Sequence, residues 1–345
     1  MINVGLLSYG MSGRVFHAPF IHLHEGLQLT GSWERSKQLI QNDYPYTKTY
    51  ASLEALLADD SVDLVVVNTP TNTHFDYAKQ ALLAGKDVVV EKAFTTTVEE
   101  AVELKAIAEK VGKKIAVFQN RRWDSDFKTV KQVIDQQLLG AVTEMEIQFA
   151  RYNPALSPKL HKEVPNPGAG IVKDLGPHII DQALHLFGKP QSVFADFRIT
   201  RQNSQVEDYF EILLYYKDKR VRLKAGYFMR EPVPSYIVHG TKGSFLKSRA
   251  DVQEALLLKG EKPDMHNWGA EPESEQGLLH TEKSGVVIRE KVPTHKGNYY
   301  AFYNLVYEAL THDKPMPVTV DDGILVMQII DAAFKSNAAR KVIDL

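Results

Sequence analysis

The stretch Ile2-Asn3-Val4-Gly5-Leu6-Leu7-Ser8-Tyr9-Gly10-Met11-Ser12-Gly13-Arg14 decides the fold. An apolar run of strand character leads into an imperfect G-x-G-x-x-G whose first glycine is replaced by Ser8. In the complete fingerprint the first glycine permits a tight turn, the second lets backbone approach a diphosphate, and the third lets the next helix pack on the strand. Gly10 and Gly13 remain for the last two tasks. A helix starting after Gly10 offers free N–H groups and partial positive charge to phosphates. A glycine-containing turn is the plain alternative; the position between a strand and a helix at the head of the chain favours a dinucleotide.

Outward from this loop, apolar runs at 2–7, 27–33, 62–68, 88–91 and 114–118 alternate with amphipathic stretches at 52–58, 74–84 and 98–111. Strand, helix and strand at that spacing predict a parallel sheet with right-handed crossovers, an α/β Rossmann domain over 1–121. Past residue 122 the texture changes. A helix over 126–138 is followed by period-two alternation, with Met145, Ile147 and Phe149 apolar against Glu144, Glu146 and Gln148. Period two predicts strand. Further strands are expected at 193–200, 209–216, 220–229, 236–239, 255–258 and 286–292, a helix at 177–187, and an irregular loop at 260–277. The prediction is an α+β domain over 122–345 with a large, open, mostly antiparallel sheet. Helices should close the chain over 299–312 and from the capping-box pattern Thr319-x-x-Asp322 to about 339, the last one a candidate to pack back on the first domain.

A length of 345 residues exceeds what one core organises, in keeping with two domains. A formal net charge of -2 gives no general attraction for nucleic acid or anionic membrane, so a small ligand is the expected partner. No stretch reaches the roughly 18 apolar residues of a membrane span, and no basic leader precedes the first apolar run. The absence of cysteine excludes disulfides, thiolate metal ligands and cysteine nucleophiles, and fits a cytoplasmic location. No histidine cluster has zinc-like spacing, so no metal is expected.

The second strand ends Gly31-Ser32-Trp33-Glu34-Arg35-Ser36-Lys37. A carboxylate on the adenine ribose favours NAD, whereas a guanidinium with hydroxyl neighbours favours the 2′-phosphate of NADP. Trp33 falls where the acidic residue is usual, leaving Arg35, Ser36 and Lys37 to meet a phosphate while Trp33 or Arg35 covers the adenine. NADP(H) is therefore expected ahead of NAD(H); a solvated helix start at Arg35 and Lys37 is the plain alternative.

Asn68-Thr69-Pro70-Thr71-Asn72-Thr73-His74 and Glu91-Lys92-Ala93 follow two parallel strands at their carboxyl ends, where such sheets bind ligands. With Asn120-Arg121-Arg122-Trp123-Asp124 and Asp174-Leu175-Gly176-Pro177-His178-Ile179-Ile180-Asp181, they make nearly the whole chain resemble the glucose–fructose oxidoreductase and inositol dehydrogenase (Gfo/Idh/MocA) family. It looks most similar to the branch containing NADP-dependent scyllo-inositol dehydrogenases, which share the stretches Phe16-His17-Ala18-Pro19 and Asn120 to Ser125 and a late hairpin over 237–245. The resemblance implies a Rossmann domain joined to an open antiparallel sheet and a catalytic set of Lys92, Asp174 and His178. Ser8 departs from the family's glycine and Ala93 from the proline of its E-K-P motif.

Oxidising a secondary alcohol needs a hydride acceptor, a base and a cationic donor near the oxygen. On this reading NAD(P) accepts the hydride, His178 is the base, Lys92 hydrogen-bonds the reacting oxygen, and Asp174 orients either. The competing roles are a solvated loop lysine, a packed histidine and a helix N-cap. The expected cofactor wall comprises Ser8, Tyr9, Gly10, Ser12, Gly13, Trp33, Arg35, Ser36, Thr69, Pro70, Asn72, His74, Glu91, Lys92, Asn120, Arg122 and Trp123. His17 and His74 are equally read as supporting residues behind a site or as structural ones, and residues 121–123 as joining the domains. Arg121, Tyr152 and Lys173 are expected, with the catalytic set, on the substrate wall. The expected reaction acts on a polyol or sugar; another sugar or dicarbonyl reduction and a noncatalytic NADP-binding regulator are the alternatives. Large residues on both faces of one strand, Phe194 and Phe197, predict a homodimer or homotetramer.

Overall fold

A computed structural model describes residues 1–345 apart from 35, 36 and 265–267, and apart from the side chains of 160 and 161. Six strands, β1 (Ile2–Leu6), β2 (Leu27–Trp33), β3 (Lys48–Tyr50), β4 (Leu64–Val67), β5 (Asp87–Glu91) and β6 (Ile115–Phe118), form one sheet. Its order is β3-β2-β1-β4-β5-β6 and every pairing is parallel. That order reverses between β1 and β4, the place where doubly wound sheets open to a dinucleotide. β4 and β6 are buried at every position because helices cover both faces of a parallel sheet. The helix Val98–Val111 starts at a capping box between Thr97 and Glu100 and stops at Gly112, whose φ of 67° suits glycine. β3 escapes the sequence reading: it has three residues, of which only Tyr50 is buried.

The second sheet contains β7 (Val142–Ala150), β8 (Ser192–Arg198), β9 (Tyr209–Tyr215), β10 (Arg220–Gly226), β11 (Tyr236–Gly240), β12 (Gly243–Lys247), β13 (Gly277–Lys283), β14 (Val286–Val292) and β15 (Ile343–Asp344). Its order is β14-β13-β12-β11-β7-β10-β9-β8-β15, antiparallel except for β7 with β10. Alternation is strict in β9, where Phe210, Ile212 and Leu214 are buried between half-buried neighbours. The helix Gly176–Phe187 covers the inner face against β7 and β10, with Ile179, Ile180 and Ala183 inaccessible. The fold is thus a Rossmann domain plus an α/β domain with a mixed, mostly antiparallel sheet.

Chain order and spatial grouping differ. The Rossmann unit holds Met1–Asn120 and recovers Gln253–Trp268 and Asn298–Ile324; the second unit holds Arg121–Val252, Gly269–Gly297 and Leu325–Leu345. Two later segments therefore return to a domain expected to end at 121. The capping box at Thr319 forms, with Asp322 N–H donating to Thr319 Oγ1 at 3.2 Å and Thr319 N–H to the Asp322 carboxylate at 2.8 Å. It starts a helix, Val320–Ala339, whose first turn belongs to the Rossmann unit and whose remainder belongs to the second. The strand expected at 255–258 is instead the helix Gln253–Leu258, and the expected loop at 260–277 contains a turn of 3-10 helix at Glu273–Glu275. Among the described residues no helix is long and apolar enough to cross a membrane.

Candidate dinucleotide and catalytic sites

The loop after β1 closes without a left-handed residue anywhere in 8–13. Ser8 does the turning work of the missing glycine: its Oγ accepts the Gly10 N–H at 3.2 Å, and its carbonyl accepts Asn68 Nδ2 at 2.8 Å. Gly13 is required by space, since a Cβ there would lie 2.3 Å from the Ser8 carbonyl oxygen. A Cβ on Gly10 would meet only Ser8 Oγ, at 3.4 Å, so the space in front of Gly10 is open to an approaching ligand. The residues present thus fit a diphosphate at this loop.

The loop forms one wall of a cavity of about 1100 Å3. Trp33 and Tyr77, edge to face at 5.7 Å, line it beside Thr69, Pro70 and Asn72. Glu34 lies at the end of β2, but its carboxylate accepts the N–H groups of Leu39 and Ile40 at 2.9 and 3.1 Å and Ser32 Oγ at 3.0 Å. It is a cap for the next helical turn. Asp43 is engaged too, accepting Tyr9 Oη at 2.8 Å and Arg14 Nε at 2.9 Å. Burial, reinforced by Asp43, pushes the Tyr9 phenol well above its usual range. The expected phosphate partners Arg35 and Ser36 lie outside the described residues; Lys37 lines the cavity.

Behind the cavity, β5 delivers Glu91. Its Oε1 accepts Ser12 Oγ and lies 3.1 Å from His17 Nε2, and its Oε2 accepts the Lys92 N–H at 3.1 Å. His17 Nδ1 in turn lies 2.6 Å from Tyr303 Oη, and the buried ring rests 4.4 Å from that of Phe118. Burial alone would raise Glu91, but the hydrogen bond and charge of His17, with Ser12 and Lys92, hold its carboxyl down at about 2. Ser12 and Glu91, both expected to face cofactor, are therefore bonded to each other. His74 is corrected likewise. It does not line the cavity: at 1% exposure, its Nδ1 lies 2.8 Å from the Ala93 carbonyl and its Nε2 2.9 Å from that of Thr69. It ties two loops together, and burial lowers its pKa. The Lys92–Ala93 peptide is cis, with alanine in the place of the family's proline. Lys92 leaves this braced corner half-buried.

Asp174 and His178 belong to the second unit. Residues 171–174 make a helical turn that runs through Leu175 into Gly176–Phe187, with Pro177 in the first turn. Asp174 is consequently one turn ahead of His178 and does not cap that helix; its Oδ2 accepts Lys162 Nζ at 2.8 Å. Lys162 carries no motif and was not anticipated. His178 is buried, 6.3 Å from the ring of Phe149, over which the guanidinium groups of Arg249, Arg151 and Arg121 stand at 4.0, 5.1 and 5.2 Å. Arg121 also donates to Asp124 at 3.2 Å, and burial raises the Asp124 carboxyl well above its usual range.

Three expected ligand residues have other company. Arg122 forms a two-pronged, buried pair with Asp181 at 2.8 and 2.7 Å, one turn of helix beyond His178. Lys173 donates to the Pro167 carbonyl and lines a separate cavity of about 410 Å3 to which neither Asp174 nor His178 contributes. Tyr152 is exposed, with the Arg230 guanidinium 3.9 Å over its ring. Asn120 and Trp123 bracket the turn of 3-10 helix after β6.

A family model described as the oxidoreductase family's NAD-binding Rossmann fold matches residues 2–119, and that of its C-terminal alpha/beta domain matches 131–345. The scyllo-inositol 2-dehydrogenase (NADP(+)) IolW of Bacillus subtilis is 35% identical over 344 residues, covering 100% of this chain and 96% of its own length. The oxidoreductase YdgJ of Escherichia coli is 38% identical over 344 residues, covering 100% and 99%. A solved structure from Bacteroides fragilis is 45% identical with a TM-score of 0.92, covering 100% of both chains. That of an oxidoreductase from Bacillus cereus is 30% identical with a TM-score of 0.93, covering 100% of this chain and 99% of its own. The chain belongs to the Gfo/Idh/MocA family of NAD(P)-binding oxidoreductases.

Proposed function

We propose that the protein is an NADP(H)-dependent dehydrogenase of the cytoplasm that acts on a secondary hydroxyl of a polyol or sugar, with scyllo-inositol the first substrate to try. The observation that carries the cofactor preference is the use of Glu34 as a backbone cap. With that carboxylate and Asp43 both engaged, the cavity wall offers Lys37 to a phosphate on the adenine ribose, and the sequence adds Arg35 beside Glu34 as a further candidate. The substrate class is supported by IolW, whose name is that of a scyllo-inositol dehydrogenase.

Bound NADP supplies a hydride acceptor at its nicotinamide. Residues 8–11, Trp33, Thr69, Pro70 and Asn72 would hold the dinucleotide, and Glu91 fixes the backbone from which Lys92 projects. The Lys92 ammonium donates to the alcohol oxygen and stabilises the negative charge that develops there. His178 accepts the hydroxyl proton, a task matched to an imidazole near neutral pH. Asp174, charged against Lys162 one helical turn before His178, orients the substrate or the base. An outer sheet face carrying Phe194, Leu213 and Tyr215 half-exposed favours assembly as at least a dimer, checked by light scattering.

The test follows reduced-nicotinamide absorbance with NADP and NAD while inositols, aldoses and their keto forms are offered. Turnover of an inositol with NADP is expected. Turnover of only dicarbonyls or anhydro sugars would replace the substrate class, preference for NAD would overturn the cofactor assignment, and tight NADP binding without turnover of any substrate would favour a regulator.

A further inference from the structure

The helix Gln253–Leu258 and the turn after it belong to the Rossmann unit although six of the nine strands of the second sheet precede them in the chain. Their root is fixed. Gln253 is inaccessible, and its Oε1 accepts both Trp268 Nε1 at 3.1 Å and the Tyr299 N–H at 2.8 Å. Leu257 is buried as the helix packs on the turn Gly13–His17, directly after the phosphate loop. The tip is different in kind: residues 257–262 line the 1100 Å3 cavity, Leu258 is 57% exposed, and Lys259, Glu261 and Lys262 are exposed. Gly260, at φ +85°, turns the chain with open space around it.

The charges on the cavity wall do not cancel. Among the described residues its cations are Arg14, Lys37, Lys259 and Lys262, and its carboxylates Glu34, Asp43 and Glu261. Arg14 and Asp43 pair with each other, and Glu34 caps backbone. What remains is Lys37, Lys259 and Lys262 against Glu261. Among the described residues none of these three lysines has an ion pair or a side-chain hydrogen bond. Ammonium groups gathered around a cavity beside a phosphate loop make a site for an anion with several phosphates, since hydrogen bonds between ionised partners are about twice as strong as neutral ones.

We propose that residues 257–262 are a strap of the dinucleotide site, in which Lys259 and Lys262 engage phosphate oxygens of the bound cofactor and Leu258 covers its apolar surface. The inference rests on the dinucleotide reading of the cavity given above. The phosphates in question are the diphosphate, common to both cofactors, or the 2′-phosphate found only in NADP(H).

The test uses the full chain carrying Lys259→Ala with Lys262→Ala, and fluorescence titration with NADPH and with NADH at low and high salt. Both lysines are exposed, so folding is undisturbed, which a thermal melt verifies. The expected result is NADPH binding weakened about 10-fold or more at low salt, the scale of one lost charge-assisted contact, with a shallower salt dependence. Loss for both cofactors places the lysines on the diphosphate, and loss for NADPH alone places them on the 2′-phosphate; either sustains the strap. A second variant, Lys259→Arg with Lys262→Arg, should retain affinity. Unchanged affinity for both cofactors in the alanine variant overturns the strap alone, whereas wild-type protein that binds neither cofactor overturns the dinucleotide reading and the strap with it.

Discussion

His17 holds the Glu91 carboxylate at 3.1 Å through Nε2, while Tyr303 Oη lies 2.6 Å from its Nδ1. The two hydrogen bonds anchor a buried ring between a strand end that carries the Lys92 corner and a helix contributed by residues 300–311. Tyr303→Phe removes one partner from a buried polar atom, a loss of about 1 to 3 kcal/mol. Urea denaturation should show that loss, and because Tyr303 does not line the cavity, NADPH affinity should stay within about twofold of wild type. Unchanged stability would show that the Tyr303 contact is not contributing.

The same cluster sets an acid limb. Glu91 has a folded pKa near 2 against an ordinary value of 4.5, so its contribution to stability is complete above about 4.5 and is lost as pH falls towards 2. A shift of that size corresponds to something on the order of 3 kcal/mol. Glu91→Gln cannot titrate. The stability difference between wild type and variant should be at its full, constant size above about pH 5 and shrink as the pH approaches about 2. Parallel stability profiles through this window would deny the carboxylate that role.

The two loop glycines should separate fold from ligand. Gly13→Ala puts a Cβ 2.3 Å from the Ser8 carbonyl oxygen, a backbone atom that moves only with β1 or the helix. Overpacking of this kind costs about 1 to 3 kcal/mol, so the variant should melt earlier and bind NADPH poorly. Gly10→Ala meets only Ser8 Oγ at 3.4 Å and should melt like wild type while losing NADPH affinity. Equal behaviour of the two in melting and titration would mean that the space before Gly10 is not where the dinucleotide lies.

What the sequence discloses depends on how local its cause is. Thr319 and Asp322 mark the start of the helix Val320–Ala339 because the cap is made within four residues, and period-two alternation marks β7 because one face of that strand is covered. The apolar tract before Leu258 is too short for periodicity to tell strand from helix. Gln253 reaching Trp268 and Tyr299 fixes it, and that requires tertiary structure. The site divides in the same way. Gly10, Gly13, Lys92 and the Asp174 to His178 spacing are visible as motifs, whereas the diversion of Glu34 to backbone, of Arg122 to Asp181 and of Lys162 to Asp174 arises from chain segments meeting in space. Ser8 was legible as a departure but not as a remedy, since its hydroxyl satisfies Gly10 only once the loop is folded.

The chemical step gives the most direct test of the catalytic set. On the proposed mechanism Lys92 would supply positive charge where an alkoxide develops, and His178 would take its proton. Losing a positioned base removes about 10²- to 10⁴-fold in rate, and losing an electrostatic donor is of similar size. Lys92→Met and His178→Ala should each lower turnover by at least about 10²-fold. Neither residue lines the cavity, so NADPH affinity should be nearly intact in both. Asp174→Asn also removes a charge from Lys162, 2.8 Å away; it should be mild if the carboxylate only orients and severe if it carries the proton. The measurement is paired, cofactor titration first and then turnover with the polyol found active. Near-normal turnover in Lys92→Met or His178→Ala rejects the assignment, and affinity lost in step with rate shows those residues to be cofactor ligands instead of chemical ones.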